Sequence, residues 1–274
     1  MIKYGIINEI GILTLNRPEK RNALHPELVS QIKIKLKEAA TDSSVKVLII
    51  TGEGKAFCAG ADIEYLNEMK NYSSVENEKD SRELAELFLM IYKFPKPVIA
   101  SVNGAAIAGG CGLVSVCDII VADELNAKFG YSEVKIGFIP AIVSTFLMRR
   151  VGEGIAKQLL LSGELIESKR AYEIGFVNYL SSNVLEFSLD IASKLKSNSQ
   201  QSMELTKDMI KNISSLSIED AVEYCIGLNT ISRTTNDFKE RIDNFTQIQG
   251  LEVGEILFRF LINWLPFLHY QFHF

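Results

Sequence analysis

Asn103-Gly104-Ala105-Ala106-Ile107-Ala108-Gly109-Gly110-Cys111-Gly112 follows directly on the apolar run Val98–Val102 and leads into a predicted helix start. A second segment, Gly52-Glu53-Gly54-Lys55-Ala56-Phe57-Cys58-Ala59-Gly60-Ala61-Asp62-Ile63, also stands directly after a buried run. In both, small residues between a strand and a helix let a ligand come close to the backbone. Helix N-termini also leave N–H groups free to meet negative charge. Tight packing of strand against helix is the other reading of such a cluster. Nucleotide motifs do not fit. Gly104 and Gly109 have the separation of a phosphate-binding loop, but Gly110-Cys111 stands where Lys-Ser/Thr would grip phosphate and magnesium. The dinucleotide fingerprint fails because its glycine spacing is absent and it would lie in the first strand–helix unit.

Outward from these segments the chain alternates strand and helix. Ile2–Ile7 and Ile10–Leu15 read as a hairpin across Asn8-Glu9. Pro26 opens a stretch with Leu28, Val29, Ile32 and Leu36 at helical spacing, to about Ala40. Val45–Ile50 is a β-branched run ended by Thr51-Gly52, which predicts a strand buried on both faces. A charged segment from Glu76 leads into a helix with Leu84, Leu87, Phe88 and Ile91 on one side, stopped by Pro95 and Pro97. Residues 117–122 give a further apolar strand. After Pro140 strand signals fade and helical patterns cover 141–150, 153–162, 183–197, 201–213, 218–231 and 234–246. Strands alternating with helices and then a helical block predict an α/β core with a helical C-terminal part. No repeat or flexible linker interrupts it.

At 274 residues and 47% hydrophobic content the chain can bury a substantial core. A net charge of -5 argues against binding nucleic acid through phosphate contacts. Cysteines 58, 111, 117 and 225 form no CxxC pair, and none of the three histidines stands at metal-ligand spacing from one, so no metal site is expected. Widely spaced thiols suit a reducing compartment. With no secretory signal and no run of the length that crosses a bilayer, a cytoplasmic location is expected.

The two glycine segments together resemble the crotonase superfamily, the enoyl-CoA hydratase/isomerase family. The resemblance starts at Asn16-Arg17-Pro18-Glu19-Lys20-Arg21-Asn22-Ala23-Leu24 and continues through Lys55–Ile63. It then takes in the block from Lys96-Pro97-Val98-Ile99-Ala100 to Cys117-Asp118, followed by Phe129-Gly130-Tyr131-Ser132-Glu133 and Gly137-Phe138-Ile139-Pro140. It covers roughly residues 1–246. It implies an α/β fold of the crotonase type, a ββα spiral core over 1–195, with a helical region over 196–250 that builds trimers or hexamers. It also implies an acyl-CoA substrate, with CoA as part of that substrate and no separate cofactor.

The family binds the thioester carbonyl in an oxyanion hole of two backbone N–H groups, and the matching positions are Ala61 and Gly109. Such donors stabilise the negative charge of an enolate-like intermediate as it forms. The family's acid/base glutamates fall at Gly112 and at Glu133, so only Glu133 remains as proton donor and acceptor. The two-carboxylate arrangement that holds water is therefore absent. If water is added, Tyr131, Ser132, Asp62 and Glu68 are the candidates to position it. Lys20 and Arg21, with Arg17, fall where the family turns cations toward the nucleotide end of CoA. Ala59, Gly60, Asp62 and Ile63 would line the CoA path, and Gly110, Gly112 and Pro140 are also expected to bind the substrate.

Three activities remain open from the resemblance. The run Gly137-Phe138-Ile139-Pro140-Ala141-Ile142-Val143-Ser144 is similar to that of 3-methylglutaconyl-CoA hydratases of leucine breakdown, and favours hydration of a branched enoyl-CoA. A Δ3-Δ2 enoyl-CoA isomerase using one glutamate is the alternative. A decarboxylase or dehydratase of branched β-carboxyl acyl groups is the third. A non-catalytic acyl-CoA-binding protein is the rival outside enzymology. His25 beside Pro26 reads as a helix cap rather than a catalytic base, Cys111 as a packing thiol, and Ser101 and Ser115 lack nucleophile context. Residues 251–274 depart from the family, with 15 hydrophobic residues of 24 and the sole tryptophan, Trp264. Membrane contact, a subunit contact and an extension without a role are the open readings of this tail.

Overall fold

The computed structural model describes residues 1–247, so the tail over 251–274 lies outside the described residues. The opening hairpin is β1 (Ile2–Ile7) and β2 (Ile10–Leu15), paired antiparallel through the left-handed Asn8-Glu9 turn. Helix α1 (Pro26–Thr41) starts where the sequence marks it, with Pro26 at its first turn and the Glu27 amide donating to the His25 ring. It buries Leu28, Val29, Ile32, Leu36 and Ala39. His25 is thus a cap.

Beyond α1 a strand–strand–helix motif repeats along the chain. The first turn runs β3 (Val47–Gly52), β4 (Ala56–Cys58), then α2 (Ile63–Met69) and α3 (Ser74–Tyr92). The second runs β5 (Val98–Val102), β6 (Ala105–Ile107) and α4 (Gly109–Ser115). The third runs β7 (Ile119–Asp123), β8 (Lys128–Gly130), a 3-10 turn over Ser132–Ile136 and α5 (Ala141–Ser162). The longer strands join one sheet in the order β1-β2-β3-β5-β7-β10 and the short ones a second, β4-β6-β8-β9. Here β9 is Leu165–Glu167 and β10 is Tyr179–Ser181, with α6 (Ser168–Glu173) between them. From β2 to β10 the large sheet is parallel, as buried β-branched strands joined by crossovers require. This is the expected ββα spiral.

One core lies between the two sheets and α1, α3, α4 and α5, and contains Leu13, Ile50, Phe57, Phe88 and Phe129. The opposite face of the large sheet, with Val47, Ile49, Ile99 and Val121, is covered by α7 (Val184–Lys196) through Val184 and Ala192. Helix α5 carries a break at Gly152, where φ is 76° and ψ is 166°, at the gap between the two helices that the sequence predicts.

The chain divides into two compact units after Asp208, and the spiral core that the resemblance implies, 1–195, lies within the first. Inside α8 (Gln200–Ile213), Lys207 donates to the Asp118 carboxylate at 2.5 Å and to the Lys96 carbonyl at 2.8 Å, tying the helix start to the first unit. The second unit holds α9 (Ile218–Thr234) and α10 (Asn236–Gln247), which pack on each other. Among the described residues no helix is long and apolar enough to cross a membrane.

Candidate active site

The two glycine segments meet because β4 and β6 are parallel neighbours, with Ala56 beside Ala105 and Cys58 beside Ala106. Their small residues are first a packing requirement. A Cβ on Gly104 would stand 2.2 Å from the Lys55 carbonyl oxygen, and one on Gly110 would stand 2.1 Å from that of Cys58. Gly60, at φ 88°, lies over the Ile107 carbonyl and the Ala108 side chain. Gly109 differs, because its absent Cβ would meet only the tip of Leu24, at 2.9 Å.

Leu24 joins the two segments. Its amide donates to the Gly60 carbonyl at 2.6 Å, and its carbonyl accepts from the Asp62 amide at 2.9 Å, forming a parallel bridge opposite Ala61. In such a bridge the peptide groups of the middle residue point away from the partner strand. The Ala61 N–H therefore faces away from Leu24. The Gly109 N–H opens α4, where the first helical donors have no partner within the helix. Among the described residues neither N–H donates to another group of the chain, and both residues are half-buried. Ahead of Gly109, Ala108 adopts φ 50° and ψ -119°, a conformation that side chains disfavour.

The acid is positioned by the same lattice. The Ala108 amide donates to the Gly130 carbonyl at 2.7 Å, and the Gly130 amide donates to the Cys111 thiol at 3.2 Å. Strand β8 is thereby fixed beside β6, and the chain turns directly into the 3-10 turn that carries Glu133. Glu133 is only 8% exposed, and its Oε2 is buried with no hydrogen-bond partner. Burial raises its pKa above the ordinary carboxylate value, opposed only in part by a backbone hydrogen bond. Tyr131 is fully buried in the core, and burial holds its hydroxyl protonated well above the usual range. Ser132 is half-buried, while Ile136, Phe138 and Ile139 stand exposed beyond Glu133. Pro140 is the residue before α5.

Gly112 is walled in. A Cβ there would stand 2.6 Å from both Phe88 Cζ and Val143 Cγ1. Two apolar side chains therefore fill the space that a side chain at this position would need.

Of the three cations, Arg17 sits differently from the expectation. Arg17 is mostly buried and pairs with Asp62 at 2.9 Å, so it does not present its charge outward. Asp62, one of the candidates to hold water, is thus engaged by Arg17 and the Glu64 amide. Burial disfavours ionised Asp62, but the hydrogen bonds from Arg17 and the Glu64 amide, with the guanidinium charge, outweigh it and lower its pKa. Lys20 reaches Glu64 at 2.6 Å, and Arg21, in the left-handed region, is exposed and accepts the Ala59 amide on its carbonyl. Ile63 opens α2 and is 83% exposed, while Glu68 lies exposed on the same helix. Sequence reading misses Leu24, Phe88, Val143 and the Arg17–Asp62 pair, because each acts through a partner far away in the chain. Burial raises the Cys111 thiol and pushes that of Cys58 up to about 12, which makes them packing groups. Among the described residues no cluster of His, Cys, Asp or Glu could hold a metal.

The family model described as enoyl-CoA hydratase/isomerase matches residues 5–249. The 2,3-dehydroadipyl-CoA hydratase of Escherichia coli is 37% identical over 239 residues, which cover 86% of this chain and 91% of that protein. The short-chain-enoyl-CoA hydratase of Clostridium acetobutylicum is 34% identical over 248 residues, covering 89% and 94%. The crystal structure of an enoyl-CoA hydratase from Polaromonas superposes with a TM-score of 0.86 at 30% identity, over 90% of this chain and 97% of that one.

Proposed function

The chain belongs to the enoyl-CoA hydratase/isomerase family, and from that premise we propose that it hydrates a branched enoyl-CoA of the 3-methylglutaconyl type. The thioester oxygen accepts hydrogen bonds from the Ala61 and Gly109 amides, which draw electron density from the double bond. Water adds to C3 as its proton passes to the Glu133 carboxylate. The enolate on the thioester oxygen then collapses, and the new proton on Glu133 goes to C2, returning the carboxylate. The observation that carries this reading is the buried, partnerless Oε2 of Glu133, on the 3-10 turn that follows the strand bonded to the residue before Gly109. A raised pKa suits it, since one group must both take and give a proton near neutral pH. Hydratase names among the relatives support addition of water over the alternatives. Likeness to the family supports a homotrimer or hexamer as the working form.

A second reading has its own observation. With Phe88 and Val143 in the place of a second carboxylate, one base suffices for moving a proton from C2 of a 3-enoyl-CoA to C4 through a dienolate. Purified protein given 3-methylglutaconyl-CoA and, in parallel, a trans-3-enoyl-CoA separates the two. Loss of conjugated absorbance with the first alone is expected. Gain of conjugation with the second alone makes the protein an isomerase, and silence with both makes it an acyl-CoA-binding protein.

A further inference from the structure

The residue that follows Ala61 is held far more firmly than its surroundings require. Asp62 accepts from Arg17 Nη2 on one carboxylate oxygen at 2.9 Å and from the Glu64 amide on the other at 3.0 Å. Its own amide donates to the Leu24 carbonyl. Arg17 uses its second terminal nitrogen, Nη1, to donate to the Ala23 carbonyl at 2.8 Å. One guanidinium therefore bridges both sides of the Leu24–Ala61 pairing. Arg17 is fixed in turn by Asn22, fully buried, whose side-chain oxygen accepts the Arg17 amide at 2.8 Å. The Asn22 side-chain nitrogen donates to the Glu53 and Ala56 carbonyls, at 3.0 and 2.8 Å, anchoring the knot to the segment that enters β4.

Stability alone does not account for the pair. An ion pair with side chains 11% and 5% exposed loses most of its hydration, and apolar residues of similar volume often do as well. In some proteins such a pair serves to fix a geometry rather than to add net stability. On the far side of Ala61, α2 buries no residue and is held by half-exposed contacts, Tyr65 against the His25 ring and Asp80, and Glu64 with Lys20. The buried anchor next to Ala61 is Asp62.

We propose that Arg17 is a positioning residue that aims the Ala61 N–H at the reacting oxygen, acting through Asp62. The inference rests on the reading of Ala61 as an oxyanion donor. A donor that is merely loosened still binds the ground-state carbonyl, but it gives up the added strength of its bond to the enolate. Loss of Arg17 therefore acts on kcat more than on KM.

The test uses the full chain with Arg17→Met, Arg17→Lys and Asp62→Asn, and reads two quantities. The first is kcat and KM with whichever substrate the wild type turns over. The second is the near-ultraviolet band of the enolate of acetoacetyl-CoA, a β-ketoacyl thioester that ionises more readily when its enolate oxygen is held by aimed donors. Expected for Arg17→Met and Asp62→Asn are a fall in kcat of about tenfold to a hundredfold and an ionisation of bound acetoacetyl-CoA moved to higher pH. KM should stay within about threefold, since ground-state binding is retained. Arg17→Lys keeps the charge but bridges only one of the two acceptors, and should fall between them. If the wild type shows the enolate band and the variants keep both band and kcat, positioning by Arg17 is overturned while the donor reading stands. If the variants lose melting temperature and raise KM with kcat intact, Arg17 is structural and the proposal is overturned. If the wild type itself gives no band, the donor reading fails and this inference with it.

Discussion

Ionising Glu133 in the folded chain places negative charge on an oxygen that no donor among the described residues reaches, and burial raises its pKa accordingly. A carboxyl whose folded pKa lies above its unfolded value contributes stability below the unfolded value, ordinarily 4.5, and that contribution is lost as pH rises through the folded one. Glu133→Gln should therefore melt at or above the wild-type temperature at neutral and higher pH, with the advantage fading toward pH 4 as the wild-type carboxyl is protonated. Its turnover should fall at least about 100-fold, the usual worth of an acid–base group. Equal melting curves at every pH would mean that Glu133 is hydrated in solution. Ala108 is the second informative residue. At φ 50° and ψ -119° it occupies backbone space that suits glycine, and Ala108→Gly should gain about 1 kcal/mol in denaturant unfolding. A loss would show that the alanine methyl packs usefully against the chain. The roles proposed for Glu133, Ala61 and Gly109 come from the family resemblance. That of Arg17 does not, since a basic loop looks alike whether its cation faces solvent or an aspartate 45 positions on.

Helix α4 is where the chain's departure from a two-carboxylate site becomes an effect of packing. Gly112 faces α3 through Phe88 and α5 through Val143, both closer to its missing Cβ than real side chains approach. Putting glutamate at this position does not rebuild the second acid, because the side chain has no room. Gly112→Glu alone should lose roughly 1–3 kcal/mol from overpacking and gain no hydratase activity. Combined with Phe88→Ala, which clears one wall, it should recover part of that stability relative to the sum of the two single changes. Strict additivity in denaturant melts would count against a shared cavity. The absence of a side chain at Gly112 is visible in the sequence, whereas the residues that fill its space are not. The same holds for the elements. The hairpin, α1, α3, β3, β5 and the helices from α7 onward carry enough periodic residues to be read. Strands β4, β6, β8, β9 and β10 have three residues each, too few for a period, although the first three of them build the site. Helix α6, six residues long, escapes the sequence reading for the same reason.

Across the whole first unit, the site segments belong to the same core as the large sheet, and this has a measurable consequence. Cys58 ends β4, Cys111 lies in α4 and Cys117 precedes β7, and all three are free and buried. Burial pushes Cys58 and Cys117 up to about 12 and raises Cys111 further, so the reactive thiolate is scarce even when a reagent arrives. If Met1–Asp208 opens as one cooperative unit, the three thiols become accessible in a single event. Alkylation of the native protein at neutral pH, followed by mass spectrometry of each cysteine, should then give one common rate. That rate should be at least about a thousandfold below that of a small thiol, reflecting the rarity of global opening. Cys225, half-buried in α9 of the second unit, should not share it. Addition of denaturant should bring the three buried thiols up together. Faster labelling of Cys58 and Cys111 than of Cys117 would show instead that the two glycine segments open on their own. The backbone donors would then be set by a local equilibrium rather than by the fold. In that case activity would fall with temperature well before the large sheet melts, and the two onsets can be compared on one sample.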